Sequence, residues 1–156
     1  MFGTTISKDT TAKNHWRTNE NGGITTATIN GQITGFGAGA IDDDDNFMGA
    51  IIIDDPNKPG VAGSELLSEE PNERFNDTIR SRRNGKSTPV IVVQQRVFPD
   101  DLSGFLLAGG GALHFDHLCL PVLIDDKPLW PQKMDAKEIE EIRTNHETAH
   151  IYKPRS

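Results

Sequence analysis

Residues 51–56 read IIIDDP, and this stretch decides the predicted fold because three β-branched apolar residues run directly into two carboxylates. A continuous β-branched run is typical of a strand that is buried on both faces, as in a parallel sheet. Pro56 has no N–H to donate, so the strand ends before it. Asp54 and Asp55 are therefore predicted to lie at the carboxyl edge of the sheet, where α/β proteins bind their ligands.

The same order of residues is typical of a Walker B strand. In such a strand one acid holds Mg²⁺, directly or through its waters, and the next acid polarises the attacking water. Asp54 and Asp55 are the candidates for these two roles. A buried strand that ends in an acidic turn explains the six residues equally well, so other segments of the chain must decide.

A second predicted strand covers residues 90–93 (VIVV), and the polar residues Gln94, Gln95 and Arg96 follow it. Helical sequence separates this strand from the first one. Two parallel strands joined by a helix form a βαβ-like unit, in which both carboxyl ends meet at one edge of the sheet. We therefore expect Asp54 and Gln95 to lie close together.

Helices are predicted on both sides of this second strand. Residues 64–83 have helical sequence, and Pro71 within them predicts a break because its ring removes a backbone hydrogen bond. A shorter helix is predicted over residues 102–107. Asp100 and Asp101 precede it, as acids at a helix N-terminus should.

A glycine-rich turn, TGFGAG, precedes IIIDDP, and further short segments follow it in a fixed order. These segments are RFNDTIRSR (74–82), VIVVQQR (90–96), DDLSG (100–104) and LCLP (118–121). In content, order and spacing the series resembles the large subunit of tailed-phage terminases, the motor ATPase that packages DNA. The resemblance covers roughly residues 22–130.

The resemblance implies an α/β fold: a partial P-loop NTPase-type (ASCE-like) sheet flanked by helices and lacking the Walker A segment. It implies that Asp54 contacts Mg²⁺ and that Asp55 stands at the position of the catalytic acid. Gln95 stands at the coupling position, where it would sense the γ-phosphate of ATP. Arg96 follows it in the family pattern and is assigned with it to the nucleotide-binding side.

The sequence contains no phosphate-binding loop. Gly85-Lys86-Ser87 matches the end of a Walker A motif, but position 80, which that motif requires to be glycine, is Arg80. The order of predicted elements is helix, loop, strand instead of strand, loop, helix, so a surface turn is predicted here. In the terminase family the phosphate loop lies before the segment that matches, so we expect a fragment that is inactive as an ATPase by itself.

Three regions follow from the resemblance. Residues 1–21 are predicted to be a polar N-terminal arm, and residues 22–134 the C-terminal part of the terminase ATPase domain. Residues 135–156 are predicted to be a helix and a truncated tail before a nuclease domain. Asp135 and Glu138 form a predicted capping box at the start of that helix.

In the complete motor the resemblance implies double-stranded phage DNA, the small terminase subunit and the portal protein as partners, with ATP as substrate. The setting would be the host cell cytoplasm, for a phage or prophage protein. An alternative of a different class is a non-catalytic remnant or interaction module that keeps the fold without binding ATP. A third is a metal-binding acidic protein built on the aspartates at 42–45, although Phe47 stands where a calcium loop needs glycine.

Composition limits these alternatives. The formal net charge of −7 argues against this chain gripping DNA by itself. Cys119 is the only cysteine, which excludes a disulfide framework, and its apolar neighbours predict a small buried side chain. Residues 114–120, which include HFDH, are predicted to form a plain strand. No apolar run reaches the roughly 18 residues of a membrane helix, so no membrane partner is expected.

Overall fold

The computed structural model describes residues 3–41, 47–57 and 65–145. The chain divides into two compact units, Met1–His114 and Phe115–Ser156. This division coincides with neither of the predicted boundaries, at 21/22 and 134/135. The aspartate run at 42–45 lies outside the described residues.

The first unit begins with a three-stranded antiparallel sheet in the order β1-β2-β3. Its strands are β1 (Ile6–Ala12), β2 (His15–Thr18) and β3 (Gly23–Thr25). No strand was predicted in the polar N-terminal arm (residues 1–21), whereas its described residues contain β1 and β2.

An Asn-Gly turn explains this difference. The backbone N–H of Thr18 donates to the carbonyl of Gly22 at 2.8 Å, and Asn21 has a φ of 64°. Asn-Gly pairs suit such turns because both residues adopt positive φ at low cost. The second Asn-Gly pair, at residues 30–31, forms only a turn in which the Gly31 N–H donates to Thr28 O at 2.7 Å.

Two parallel strands form the second sheet of this unit, as predicted. Strand β4 (Ile51–Asp54) pairs with β5 (Val90–Val93) in the register Ile51↔Val90 to Asp54↔Val93. The fold is thus mixed α/β with small sheets and helices.

The connection between these strands is helical and changes type along its length. Helix α1 (Glu65–Arg74) continues into a π-helical turn (Phe75–Ile79) and then a 3₁₀ turn (Arg80–Arg82). The break predicted at Pro71 does not occur; the helix runs through the proline and changes its hydrogen-bond pattern four residues later.

Only one face of the β4–β5 sheet is covered, so the prediction of strands buried on both faces is wrong. Ile53 is 7% exposed, whereas its neighbour Ile52, on the opposite face, is 67% exposed. Ile91 and Val93 share the exposed face with Ile52. A β-branched run favours a strand that can be buried on both faces. Whether both faces are buried depends on the other segments that pack against them.

The core of the first unit lies against the covered face. Its buried side chains come from β4, the π-helical turn and α2 (Leu102–Leu107): Ile53, Phe75, Ile79, Leu102 and Leu106. The predicted stop of α2 at residues 109–111 is confirmed. Gly111 has a φ of 71°, and a Cβ there would lie 2.5 Å from the ring of Phe75, so only glycine fits.

The glycine-rich turn packs against the end of the helical connection. The Ala38 N–H donates to Arg82 O and the Asn84 N–H donates to Ala38 O, both at 2.9 Å. A Cβ at Gly39 would lie 1.9 Å from the Thr88 hydroxyl, which explains the glycine. The surface turn predicted at 85–87 is confirmed, because the Thr88 N–H closes it on Gly85 O at 3.2 Å.

The second unit contains one hairpin and one helix. Strands β6 (Leu123–Ile124) and β7 (Lys127–Pro128) pair antiparallel, and α3 (Ala136–Thr144) starts at the predicted capping box. The strand predicted over 114–120 does not form, and Cys119 is exposed instead of buried. Leu118 and Leu120 are also exposed, which removes the burial that would favour a strand.

Two leucines of α2 test the position of the core. Leu102 is fully buried, whereas Leu107 is 42% exposed. We expect Leu102→Ala to lower the free energy of unfolding by about 2–5 kcal/mol, because it leaves a cavity. Leu107→Ala should cost much less. Urea unfolding of both variants measures the difference, and equal losses would contradict this core.

Candidate active site at the sheet edge

The tips of β4 and β5 meet at one edge of their sheet, as predicted. The Asp55 N–H donates to Val93 O at 2.9 Å, which extends the ladder one residue beyond β4. The Gln95 N–H then approaches Asp55 Oδ1 at 3.4 Å, a long contact. The two predicted site residues Asp55 and Gln95 are thus neighbours.

Strand periodicity sorts the polar residues at this edge between the two faces. Asp54 follows Ile52 on the exposed face of β4, and Gln95 follows Val93 on the exposed face of β5. Gln94 points to the covered face. Its amide nitrogen and oxygen are both buried and have no hydrogen-bond partner among the described residues. The chemistry of the exposed edge therefore belongs to Asp54, Asp55 and Gln95.

Asp55 adopts a backbone conformation that is uncommon for a residue with a side chain. Its φ is 42°, in the left-handed region that Asp and Asn tolerate better than most residues do. This conformation accompanies the contact between its carboxylate and the Gln95 N–H. Backbone outliers of this kind cluster at functional sites, so the conformation of Asp55 favours this edge as a candidate site.

Arg96 is engaged inside its own loop. Its Nε lies 2.8 and 2.9 Å from the two carboxylate oxygens of Asp101. Its Nη2 donates to Pro99 O at 2.9 Å and to Phe98 O at 3.3 Å. The guanidinium thus fixes the loop after β5, and its assignment to the nucleotide side stays a prediction.

Asp101 is the centre of this loop. Its carboxylate is fully buried and accepts hydrogen bonds from the N–H groups of Val97 and Gly104, each at 3.0 Å, besides the contacts with Arg96. The bond to Gly104 makes Asp101 the N-cap of α2, as its predicted place before the helix suggested. A Cβ at Gly104 would lie 1.8 Å from Pro99 O, which explains the spacing Asp-Leu-Ser-Gly.

Asn57 connects the β4 side to the same loop. Its Oδ1 accepts a hydrogen bond from the Leu102 N–H at 3.1 Å, and the residue is buried. Sequence reasoning gave Asn57 no role and gave Asp101 only a place at a helix start. The spacing of Arg96, Asp101 and Gly104 was the available signal for the loop; the contact of Asn57 joins residues far apart in sequence.

The exposed edge suits Mg²⁺ in a nucleotide complex better than it suits a metal held by protein alone. Mg²⁺ commonly uses one or two carboxylates and completes its octahedral shell with water and substrate phosphates. Asp54 and Asp55 are adjacent and exposed, so they meet this limited requirement. Within the described ranges no group of three or more His, Cys, Asp or Glu side chains could hold a metal ion.

An open cleft of about 850 Å³ lies elsewhere in the first unit, between Asn14 and Phe36. Apart from Phe36 its lining is polar or small, and it includes no titratable side chain. It shares no residue with the edge that carries Asp54, Asp55 and Gln95. The cleft therefore lacks acid–base groups, and the sheet edge is the better candidate for hydrolytic chemistry.

Comparison of the chain with protein-family models, curated proteins and solved structures finds no match. In the part of the chain that the structure describes, every helix is too short or too polar to cross a membrane. The geometry of the sheet edge and the order of motifs along the chain are therefore the observations that bear on function.

Substitutions of two neighbouring aspartates, Asp100 and Asp101, test whether Asp101 stabilises the loop. We expect Asp101→Ala to destabilise the protein by about 2–4 kcal/mol, because it removes the N-cap and leaves buried N–H groups without an acceptor. Asp100→Ala changes an exposed side chain of the same charge and should leave the unfolding midpoint nearly unchanged. Thermal and urea unfolding compare the two, and similar midpoints would contradict the central position of Asp101.

Proposed function

We propose that this chain is part of the ATPase domain of a tailed-phage terminase large subunit, the motor that packages double-stranded DNA into the procapsid. One observation carries the proposal: the parallel pairing of β4 and β5 brings Asp54, Asp55 and Gln95 to one carboxyl edge. Parallel strands put their ligand-binding residues at this edge. The ordered series of motifs from residue 34 to residue 121 supports the terminase family in particular, because it resembles the motif order of that family.

Each edge residue has a proposed role that its surroundings support. Asp54 is exposed on the open face and would hold Mg²⁺, which supplies charge neutralisation for the phosphates when bound. Asp55 would orient and polarise the attacking water. The backbone N–H of Gln95 lies 3.4 Å from Asp55 Oδ1, so the two residues stand side by side at this edge. This contact supports a coupling role for Gln95.

The phosphate loop of the proposed ATPase would come from polypeptide outside the printed sequence. The exposed apolar face formed by Ile52, Ile91 and Val93 supports this idea, because proteins normally cover such a face. The proposed partners of the complete motor are double-stranded DNA, the small terminase subunit and the portal protein. The proposed setting is the host cytoplasm.

A second candidate function is a non-catalytic interaction module that keeps the fold without binding ATP. Two observations favour it: the sequence lacks a GxxxxGK[ST] motif, and the same apolar face is open to a protein partner. The two candidates differ in what the acids do. Only the ATPase requires that Asp54 bind a divalent cation.

Cation binding by the chain as it stands is the first test. Two carboxylates give a weak site for a divalent cation. We expect Mn²⁺, as a paramagnetic substitute for Mg²⁺, to bind there and to broaden first the NMR amide signals of the surrounding residues, 54–57 and 93–96. Asp54→Asn should remove the effect. Asp126→Asn, at an exposed turn of the second unit, is the control and should preserve it. Equal broadening around Asp126 would contradict a specific site.

Hydrolysis is the second test, with this chain joined to or co-expressed with a polypeptide that carries a GxxxxGK[ST] loop. Asp55→Ala should lower the ATPase rate about 10²–10⁴-fold while nucleotide affinity stays close to that of the parent, because water activation acts in the transition state. Asp54→Ala should also weaken Mg²⁺-dependent binding. Gln95→Ala should preserve binding and uncouple hydrolysis from DNA packaging. Identical profiles for the three variants would count against these roles.

A further inference from the structure

A basic turn (residues 80–86, sequence RSRRNGK) stands out on this acidic chain. Four of the 16 lysine and arginine residues lie in these seven positions, and none of the 23 acidic residues does. The turn follows the π-helical segment and precedes β5. A local excess of cations on a protein of opposite net charge indicates an electrostatic surface that the overall charge conceals.

The backbone of the basic turn is fixed. The glycine-rich turn holds it at two points, since Arg82 O accepts from the Ala38 N–H and the Asn84 N–H donates to Ala38 O. The Arg83 guanidinium lies inside the turn, where it donates to Thr88 O at 2.9 Å and to Lys86 O. The positions from which Arg82 and Lys86 project are therefore set before any partner binds.

The cations of the basic turn have no carboxylate partner within the described part of the chain. Arg82 donates to the hydroxyl of its neighbour Ser81, at 2.9 Å from Nη2. Arg80 donates to the Gly111 carbonyl at 3.0 Å, which orients its side chain without neutralising it. Lys86 is exposed. Among the described residues, the positive charge of this turn is thus not neutralised by any carboxylate.

We propose that the basic turn binds the phosphate backbone of duplex DNA. Arginine guanidinium groups and lysine ammonium groups match phosphate oxygens, and the exposed Ser87 hydroxyl beside them can donate a further hydrogen bond. The turn exposes no large apolar side chain that would insert into a lipid surface. The polyanion-binding surface rests on the turn itself; the choice of duplex DNA rests on the proposed function.

The net charge of −7 opposes this contact, so binding is weak and strongly dependent on salt. Each phosphate contact contributes a slope of about −0.9 in a plot of log K against log salt concentration. Exposed Arg80 and Lys86, with half-buried Arg82, give a slope of about −2 to −3.

The test is fluorescence anisotropy of a labelled duplex of about 20 base pairs with the full chain, at salt concentrations from about 20 to 150 mM. We expect Arg82→Gln/Lys86→Gln to reduce the salt slope by about 2 and to weaken binding at least about 10-fold at the lowest salt. Arg17→Gln/Lys133→Gln removes the same charge from exposed residues elsewhere and should bind almost as the parent does. Urea unfolding confirms that both double variants are folded.

Three outcomes overturn the proposal: no binding of the parent chain, equal loss in both double variants, or capture of poly-glutamate in preference to the duplex. The last outcome would indicate an acidic protein partner. DNA binding that depends on the basic turn, with no ATPase activity in the reconstituted protein, would contradict only the proposed function. ATPase activity of the reconstituted protein without DNA binding by the basic turn would contradict only the proposal that this turn binds DNA.

Discussion

The buried carboxylate of Asp101 is the interaction on which the candidate site depends. A fully buried carboxylate is costly unless charge and hydrogen bonds compensate it, and here Arg96 and the N–H groups of Val97 and Gly104 do so. The ion pair alone contributes little, because Arg96 is partly exposed to solvent. The larger effect is geometric: one side chain fixes where α2 begins and how the chain leaves β5.

That loop also fixes the acids of the neighbouring strand. Asn57 binds the Leu102 N–H and Asp55 receives the Gln95 N–H, so two contacts tie the end of β4 to the residues after β5. The edge is therefore preorganised on one side and open on the other, where Ile52 is exposed. An arrangement of this kind suits a site that further polypeptide completes, and both proposed functions make use of that open face.

Local signals in the sequence predicted the elements whose causes are local. The start of α2 at Asp101, its end at Leu107 and the capping box at Asp135 all follow from neighbouring residues. The parallel pairing of β4 and β5 followed from two apolar runs separated by helical sequence. Burial was predicted less well, because it depends on what covers a surface. Ile52 and Cys119 have apolar neighbours in sequence and are nevertheless exposed.

The candidate site could be predicted in part, from the arrangement of the two parallel strands. Strand ends in a parallel sheet share an edge, so the pattern of residues placed Gln95 at the edge that carries the aspartates. The prediction paired Gln95 with Asp54, whereas the contact in the structure is with Asp55. The buried position of Asn57 did not follow from the sequence, because its contact with Leu102 joins distant segments. The network of Arg96 lies within one loop, and its spacing was present in the sequence but was not interpreted as a loop. The most direct measurement of the central claim is a set of NOE distances between β4 and β5 in the isotope-labelled chain. The account predicts contacts between the Asp55 amide and residues 93–95, with the register Ile52↔Ile91; Hα–Hα contacts typical of antiparallel strands, or no contact between these strands, would contradict it.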